Sequence, residues 1–250
     1  MKNRFFKPYK KDNYYNEGLI NGKKVLILGA SFYCPYNESS NDFNCPKWNE
    51  CTSMEIRDSS NFNESCYYFK HKGYYKSKLE NAPEDEITNY LEGCDYPSYD
   101  NFTQFMIEYV SNKIGRQKMK NEDWKMYIWE RLAFTNYVQY FLPTVSTPTQ
   151  TKRDIRNFEA FLEILDELQP DVIIIWGTKI TDHFMKKYIQ VFTDKLEKQD
   201  NPYLWNLSYH GKSYILINPY HPCNFHNQWQ NNLEGFKQAL DTVFQKNQDM

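Results

Sequence analysis

Apolar residues along the chain follow two alternating patterns, short continuous runs and longer periodic segments. Continuous aliphatic runs bounded by turn residues are typical of strands that are buried on both faces of a sheet. Three such runs predict central strands, and a weaker run at residues 132–138 predicts a fourth. The three strong runs are residues 24–29, 171–177 and 213–218.

The segments between these runs have apolar residues at every third or fourth position, which predicts amphipathic helices. The helices are expected at residues 102–114, 124–132, 155–168 and 229–244. Pro170 ends the third of them, and a predicted strand follows at once. Strands that alternate with helices indicate an α/β fold, in which helices cover a mostly parallel sheet.

One region departs from this alternation. Residues 34–99 are rich in Asn, Ser, Tyr and Cys, and their apolar residues show little periodicity. A segment of this length in a compact domain is usually functional or disordered, and it follows the first strand, where open α/β sheets bind ligands. We interpret residues 1–250 as a single domain with an insertion at about 34–99 over the site.

Composition excludes several classes of protein. The formal net charge of −2 excludes a wholly basic DNA-coating protein, although a local basic groove stays compatible with it. The longest apolar run is too short to span a bilayer, and the basic N-terminus lacks the apolar stretch of a secretory signal. A cytoplasmic protein is therefore expected.

The aromatic content of 18% is compatible with two explanations, A·T-rich coding or aromatic rings that stack on bases.

Polar residues follow three of the predicted strands. The first strand ends in GASFY (29–33), where Gly29 permits a tight turn and Ser31 supplies a hydroxyl. The strand at 132–138 contains Asn136, whose amide donates and accepts hydrogen bonds together, as the edge of a nucleobase requires. The last strand leads into NPYHPC (218–223), where the proline after His221 favours an extended histidine beyond the strand. Considered alone, Asn136 is also compatible with a turn residue, and His221 is also compatible with a purely structural, packed histidine.

The order and spacing of these segments resemble the uracil-DNA glycosylase superfamily. In that family a first strand leads to a Gly-Gln-Asp-Pro-Tyr motif, and a middle strand ends in a base-binding Asn. An apolar strand that ends in Trp-Gly then precedes a final His-Pro-Ser motif. The corresponding residues here are 29–33, Asn136, 176–177 and 221–223, and the resemblance spans about residues 23–240. It implies a three-layer α/β/α fold whose cleft lies at the carboxyl ends of the parallel strands.

The resemblance also implies roles for individual residues. Asn136 corresponds to the amide that binds the base edge, and His221 to the histidine that stabilises the departing base. The segment Gly29, Ala30, Phe32 and Tyr33 would contact the base, with Tyr33 as the aromatic side of the pocket. Ser31 stands where the family has its water-activating Asp, so it joins His221 and Asn136 as a candidate catalytic residue. A carboxylate from Glu38 or Asp42 in the insertion is an alternative.

These roles imply a DNA glycosylase that removes a deaminated or modified base, including phage-type bases, and leaves an abasic site. Base excision repair and antiphage defence are both compatible pathways. The loss of the motif-one Asp leaves an alternative open, a degenerate module of the same fold that binds a nucleobase or nucleic acid. The expected partner is DNA, contacted through phosphates by Lys152, Arg153 and Arg156. Neither a membrane nor an obligate protein partner is expected.

No cofactor is expected, and no metal-ligating residue is assigned. Four cysteines lie in the insertion, Cys34, Cys45, Cys51 and Cys66, but none forms a C-x-x-C pair. Free thiols are the simpler interpretation, while a zinc or iron–sulfur site at these cysteines, with His71 as a further zinc ligand, is the alternative. An unrelated metal-dependent enzyme would follow from that alternative.

Overall fold

The fold is organised around one six-stranded sheet, seen in a computed structural model. The structure describes residues 4–33, 80–115, 119–139, 141–142, 155–176, 186–223 and 228–245. Several predicted residues lie outside these ranges: Cys34, Glu38, Asp42, Cys45, Cys51, Cys66, His71, Lys152 and Arg153.

The described strands are β1 (Val25–Gly29), β2 (Phe32–Tyr33), β3 (Leu132–Asn136), β4 (Phe141–Leu142), β5 (Val172–Ile175), β6 (Lys195–Lys198), β7 (Leu204–Tyr209) and β8 (Lys212–Ile217). The large sheet has the order β3-β1-β5-β8-β7-β6, and β2 and β4 form a separate parallel pair. Strands β3, β1, β5 and β8 are parallel to their neighbours, whereas β7 and β6 are antiparallel. The α/β class is therefore confirmed, with an antiparallel edge added to a parallel sheet.

The described helices are α1 (Asp12–Asn16), α2 (Ala82–Leu91), α3 (Pro97–Ile114), α4 (Asn121–Trp129), α5 (Ile155–Leu168), α6 (Lys186–Phe192), α7 (Gln228–Asn231) and α8 (Leu233–Phe244). Helices pack on both faces of the sheet. Val25 and Ile27 of β1 join one apolar cluster with α2, α3, α4 and α8, whereas Leu26 and Leu28 join a second with α5 and α6. This alternation follows from the two-residue period of a strand and explains why the strand is apolar throughout. Across the described ranges, no helix is long and apolar enough to cross a membrane.

Most predicted elements are present, with shifted ends. The helix predicted at 124–132 ends at Trp129, and Leu132 instead begins β3. The helix predicted at 229–244 is interrupted at Asn232, which separates α7 from α8. The described end of the segment interpreted as an insertion is helical, because α2 lies within it and α3 begins at Pro97.

The hairpin formed by β7 and β8, together with β6, was not predicted as an antiparallel edge. Its turn residues His210 and Gly211 both have positive φ values, of 51° and 72°. Two consecutive positive φ values are typical of the tight turns whose twist matches a β-hairpin. Strand β7 alternates between buried and partly exposed positions, so it gives no continuous apolar run in the sequence.

The N-terminal segment covers the outer edge of β3. Tyr9 forms an antiparallel bridge with Phe134, with hydrogen bonds in both directions. The described cations of this segment pair with glutamates: Arg4 and Lys10 with Glu167, Lys7 with Glu80, and Lys11 with Glu84. These ion pairs fasten the segment to α2 and α5, and the bridge protects a sheet edge that would otherwise be open to pairing with other chains.

Candidate active site at the carboxyl ends of the parallel strands

The four parallel strands bring the sequence signatures together at one edge of the sheet. Their carboxyl ends bear Gly29 on β1, Asn136 on β3, Trp176 directly after β5, and residues 218–223 after β8. In the large sheet the chain continues from β1 to β3 on one side, whereas from β5 it continues to β6, β7 and β8 on the other. Ligands of open α/β sheets bind in the crevice outside such a reversal point. The candidate site therefore lies across these four strand ends.

Gly29 and Asn136 are partners in the register of β1 and β3. A Cβ atom added to Gly29 would lie 2.0 Å from Oδ1 and 3.2 Å from Cγ of Asn136, so glycine is what allows the amide to lie across β1. The Asn136 residue is only 4% exposed, so its side-chain amide is largely shielded from water. This amide can donate and accept hydrogen bonds together, which suits a ligand that has both an acceptor and a donor.

The backbone of Asn136 is held by a buried amide, Gln139. Its side-chain Nε2 donates to the Asn136 carbonyl oxygen at 2.7 Å, and its Oε1 accepts from the backbone N–H groups of Phe5 and Phe6 at 2.9 and 3.0 Å. The Gln139 backbone N–H donates to Oδ1 of Asn157, on α5, at 2.9 Å. The end of β3 is thereby connected to both the N-terminal segment and α5.

His221 is held as a neutral imidazole with a defined tautomer. The backbone N–H of Cys223 donates to Nδ1 of His221 at 3.1 Å, so Nδ1 accepts and the proton resides on Nε2. Burial lowers the pKa of His221 from its usual 6.5 to about 4. At neutral pH the Nε2–H group is consequently a neutral hydrogen-bond donor.

Two asparagines fix the segment that contains His221. The side-chain Nδ2 of Asn218 donates to the carbonyl oxygen of Ile175 at 3.0 Å, which ties the end of β8 to the end of β5. The side-chain Nδ2 of Asn101, near the start of α3, donates to the carbonyl oxygen of Pro222 at 2.7 Å. Both sides of His221 are therefore anchored to regular structure.

An aromatic cluster lies beneath the strand ends, with Trp176 at its centre. The Trp176 ring meets the His221 ring at a centroid distance of 6.0 Å and an interplanar angle of 72°. It also packs against Tyr99, Phe102 and Phe134, at centroid distances of 5.4, 5.3 and 5.8 Å. Trp176 is 3% exposed, and its Nε1 atom is buried without a hydrogen-bond partner.

No protein-family model matches this chain, and no curated protein is significantly similar to it. Its function is therefore inferred from the chemistry of the strand ends. That chemistry consists of a neutral imidazole donor, a buried amide and a buried indole N–H, all at the carboxyl ends of parallel strands of one sheet.

The other predicted base-binding residues lie around β1 and β2. Phe32 is 7% exposed and packs edge-on against Phe6 and Phe134, at centroid distances of 4.8 and 6.4 Å. Ala30 and Ser31 are partly exposed, and the Ala30 carbonyl oxygen accepts from the backbone N–H of Val138 at 3.0 Å.

Two more predicted residues have known positions in the backbone. Tyr33 pairs with Leu142 in the small sheet of β2 and β4, which extends beyond the end of β1.

Arg156, predicted to contact DNA phosphates, is the second residue of α5 and is partly buried. Because Asn157 contacts Gln139, the start of α5 lies beside the end of β3. Arg156 is thus near the candidate site.

Metal ligands were not assigned from the sequence, and the described residues contain no group of three or more His, Cys, Asp or Glu side chains suited to a metal ion. The four cysteines of the alternative site and His71 lie outside those residues. Among the residues that are described, Cys94 is exposed and Cys223 is partly buried, and neither forms a disulfide bond.

Sequence reasoning missed the support given by Gln139 and Asn157, and it gave Trp176 no role. Gln139 was detectable as a polar residue three positions after Asn136, but its side-chain hydrogen bonds involve residues more than a hundred positions away as well as near ones. Trp176 was noticed only as part of the Trp-Gly signature. Its unpaired N–H depends on packing against α3 and His221, which no local pattern reveals.

Proposed function

We propose that this protein is a DNA glycosylase of the uracil-DNA glycosylase type. It would hydrolyse the bond between a non-standard base and deoxyribose, in a nucleotide flipped out of DNA, and leave an abasic site. The observation that carries the proposal is the arrangement of Asn136 and His221, a buried amide and a neutral imidazole donor at the ends of parallel strands.

The spacing of the strands supports a base-sized ligand. Strands β3 and β8 are separated by three sheet spacings, so their ends are about 14 Å apart at about 4.8 Å per spacing. We propose that a single planar base occupies the space between these strand ends. A flipped base requires an edge partner of this kind, which the Asn136 amide supplies.

The chemistry of the reaction supports a role for His221. When the C1′–N bond breaks, its electron pair moves onto the base, and the sugar acquires oxocarbenium character. Water then supplies the hydroxyl that bonds to C1′. A neutral Nε2–H donor at an oxygen of the departing base stabilises the negative charge where it develops, so it lowers the barrier to bond cleavage.

Activation of water is where this chain differs from the resembled family. Ser31 stands at the position of the family's Asp, and a serine hydroxyl is a poor general base at neutral pH. The proposal therefore assigns most of the catalysis to stabilisation of the departing base. Bases whose anions are already stable are then the favoured substrates, which fits deaminated or modified bases better than normal ones.

The same departure favours one alternative function. With Ser31 in place of a carboxylate, the site suits a module that binds a nucleobase or nucleic acid without cleaving it. In that case Asn136 and His221 would contribute to affinity alone.

DNA is the proposed partner, with phosphates contacted by Arg156 and by Lys152 and Arg153. A cytoplasmic role in base excision repair or in defence against modified phage DNA is part of the same proposal. The basic residues would supply salt-dependent binding, whereas the strand ends would select the base.

Incubation with a panel of DNAs tests the proposal. Each DNA contains a single uracil, alkylated, deaminated, hydroxymethylated or glucosylated base, and released base is detected by mass spectrometry together with abasic sites. Release of at least one base, absent in a matched His221→Ala preparation with the same melting temperature, is expected. Tight binding of one DNA without any release would instead support the binding module.

A further inference from the structure

Trp176 has a buried hydrogen-bond donor that the folded chain does not satisfy. Its side chain is 3% exposed, and Nε1 has no hydrogen-bond partner. Buried polar groups in proteins are nearly always paired, so an unpaired donor directly after β5 requires an explanation. An indole N–H only donates, so its missing partner must be an acceptor atom.

The surroundings of Trp176 indicate where that acceptor comes from. Tyr99, Phe102 and Phe134 present aromatic rings to the indole, and the Tyr99 hydroxyl is engaged with Glu86. The remaining described ring in contact is that of His221, whose Nδ1 already accepts from Cys223. None of these groups offers an acceptor to Nε1, and the residue follows directly on β5, at the reversal point of the sheet where a ligand binds.

We infer that the Nε1–H group of Trp176 donates a hydrogen bond to the departing base, as a second donor beside the Nε2–H group of His221. The inference rests on the proposed function. The C1′–N bond breaks, its electron pair moves onto the base and is shared with an exocyclic oxygen, and water provides the hydroxyl on C1′ and the proton that later neutralises the base. Two neutral donors on that negative charge compensate for the absent carboxylate at Ser31.

A replacement that keeps the shape of the indole provides the test. Benzothienylalanine, in which sulfur takes the place of the indole N–H, is introduced at position 176 alone. The unpaired donor costs free energy in the folded protein, so its removal leaves the melting temperature unchanged or raises it. Because the donor acts on the departing base, single-turnover base release falls about tenfold to a hundredfold.

Trp129 supplies the matched control. It is fully buried like Trp176, but its Nε1–H donates to Oγ1 of Thr103 at 2.9 Å. The same replacement at position 129 removes a satisfied hydrogen bond, so it lowers the melting temperature and leaves base release unchanged. The same chemical change is therefore expected to lower base release but not the melting temperature at position 176, and to lower the melting temperature but not base release at position 129.

The outcomes separate the inference from the proposed function. If wild-type protein releases a base and the variant at position 176 releases it equally fast, the inference is overturned while the glycosylase proposal stands. A fall in melting temperature at position 176 as large as at position 129 also overturns it. If wild-type protein releases no base from any DNA of the panel, the proposed function fails, and the inference fails with it.

Discussion

The α-carbon of Gly29 lies against the side-chain amide of Asn136, so close that a methyl group on Gly29 would come within 2.0 Å of Oδ1. The two residues are register partners on β1 and β3, and the contact spans the gap between the strands. Glycine at the end of β1 therefore leaves the space that the Asn136 amide occupies. This contact makes the amide position testable without altering Asn136 itself.

Gly29→Ala is expected to displace the Asn136 amide and to lower base release at least tenfold. The effect should vanish in an Asn136→Ala background, because the methyl group then has no amide to displace. Single-turnover rates for the two single variants and the double variant form a cycle that measures this coupling. If the losses in rate of the two single variants multiply in the double variant, Gly29 acts through a group other than Asn136.

Gln139→Glu is expected to destabilise the protein in a pH-dependent way. A carboxylate still accepts from Phe5 and Phe6, but it cannot donate to the Asn136 carbonyl oxygen. Burial raises the pKa of the introduced carboxyl, and its protonated form regains the donor. The deficit relative to wild type is therefore smallest in acid and grows as the pH rises, to about 3 kcal/mol.

Urea unfolding of Gln139→Glu and Gln139→Leu at several pH values measures this effect. The Leu variant loses all the side-chain bonds at once, so its deficit should not change with pH. Parallel curves for the two variants would show that the donor to Asn136 contributes nothing. Base release by the Glu variant should be lowest at the pH values where its stability deficit is largest.

His221 makes a second pH-dependent contribution to stability, which falls in acid. Its folded pKa of about 4 lies below the usual 6.5, so above pH 6.5 neither state is protonated and there is no cost. Between these values the unfolded chain takes up a proton that the folded chain resists, and stability is lost as the pH falls. Each pKa unit corresponds to about 1.4 kcal/mol, so the total loss is on the order of 3 kcal/mol.

The comparison that isolates this contribution is wild type against His221→Asn, because every other titrating group is shared. The free energy of unfolding of wild type should fall more steeply between neutral pH and about pH 4.5 than that of the variant. Equal slopes would indicate that the imidazole is not desolvated in the folded protein.

The parts of the fold that could be predicted are those in which local pattern and burial coincide. Strands β1, β5 and β8 are apolar along their length because helices cover both faces of the sheet, and α5 has a regular apolar period. Strands β6 and β7 could not be predicted in this way, since they are only partly buried and form an antiparallel edge. The end of α4 was misplaced because Leu132 continues the helical period while it belongs to β3.

The features of the candidate site also divide into those that the sequence predicts and those that depend on packing. Asn136 and His221 could be selected because Asn136 lies near the end of one predicted strand and His221 follows another, and parallel strands place their carboxyl ends together. The tautomer of His221 and its lowered pKa could not be predicted, since they depend on a backbone N–H two residues away and on burial. The unpaired Nε1–H donor of Trp176 could not be predicted either, because its lack of a partner is a property of the packed structure.

Single-turnover cleavage by His221→Ala, with DNA affinity and melting temperature measured on the same preparation, tests the central claim most directly. The account predicts that base release falls about 10²–10³-fold, while DNA binding through phosphates and the melting temperature change little. Release at the wild-type rate, or a loss of release no larger than the loss of folded protein, would contradict the account.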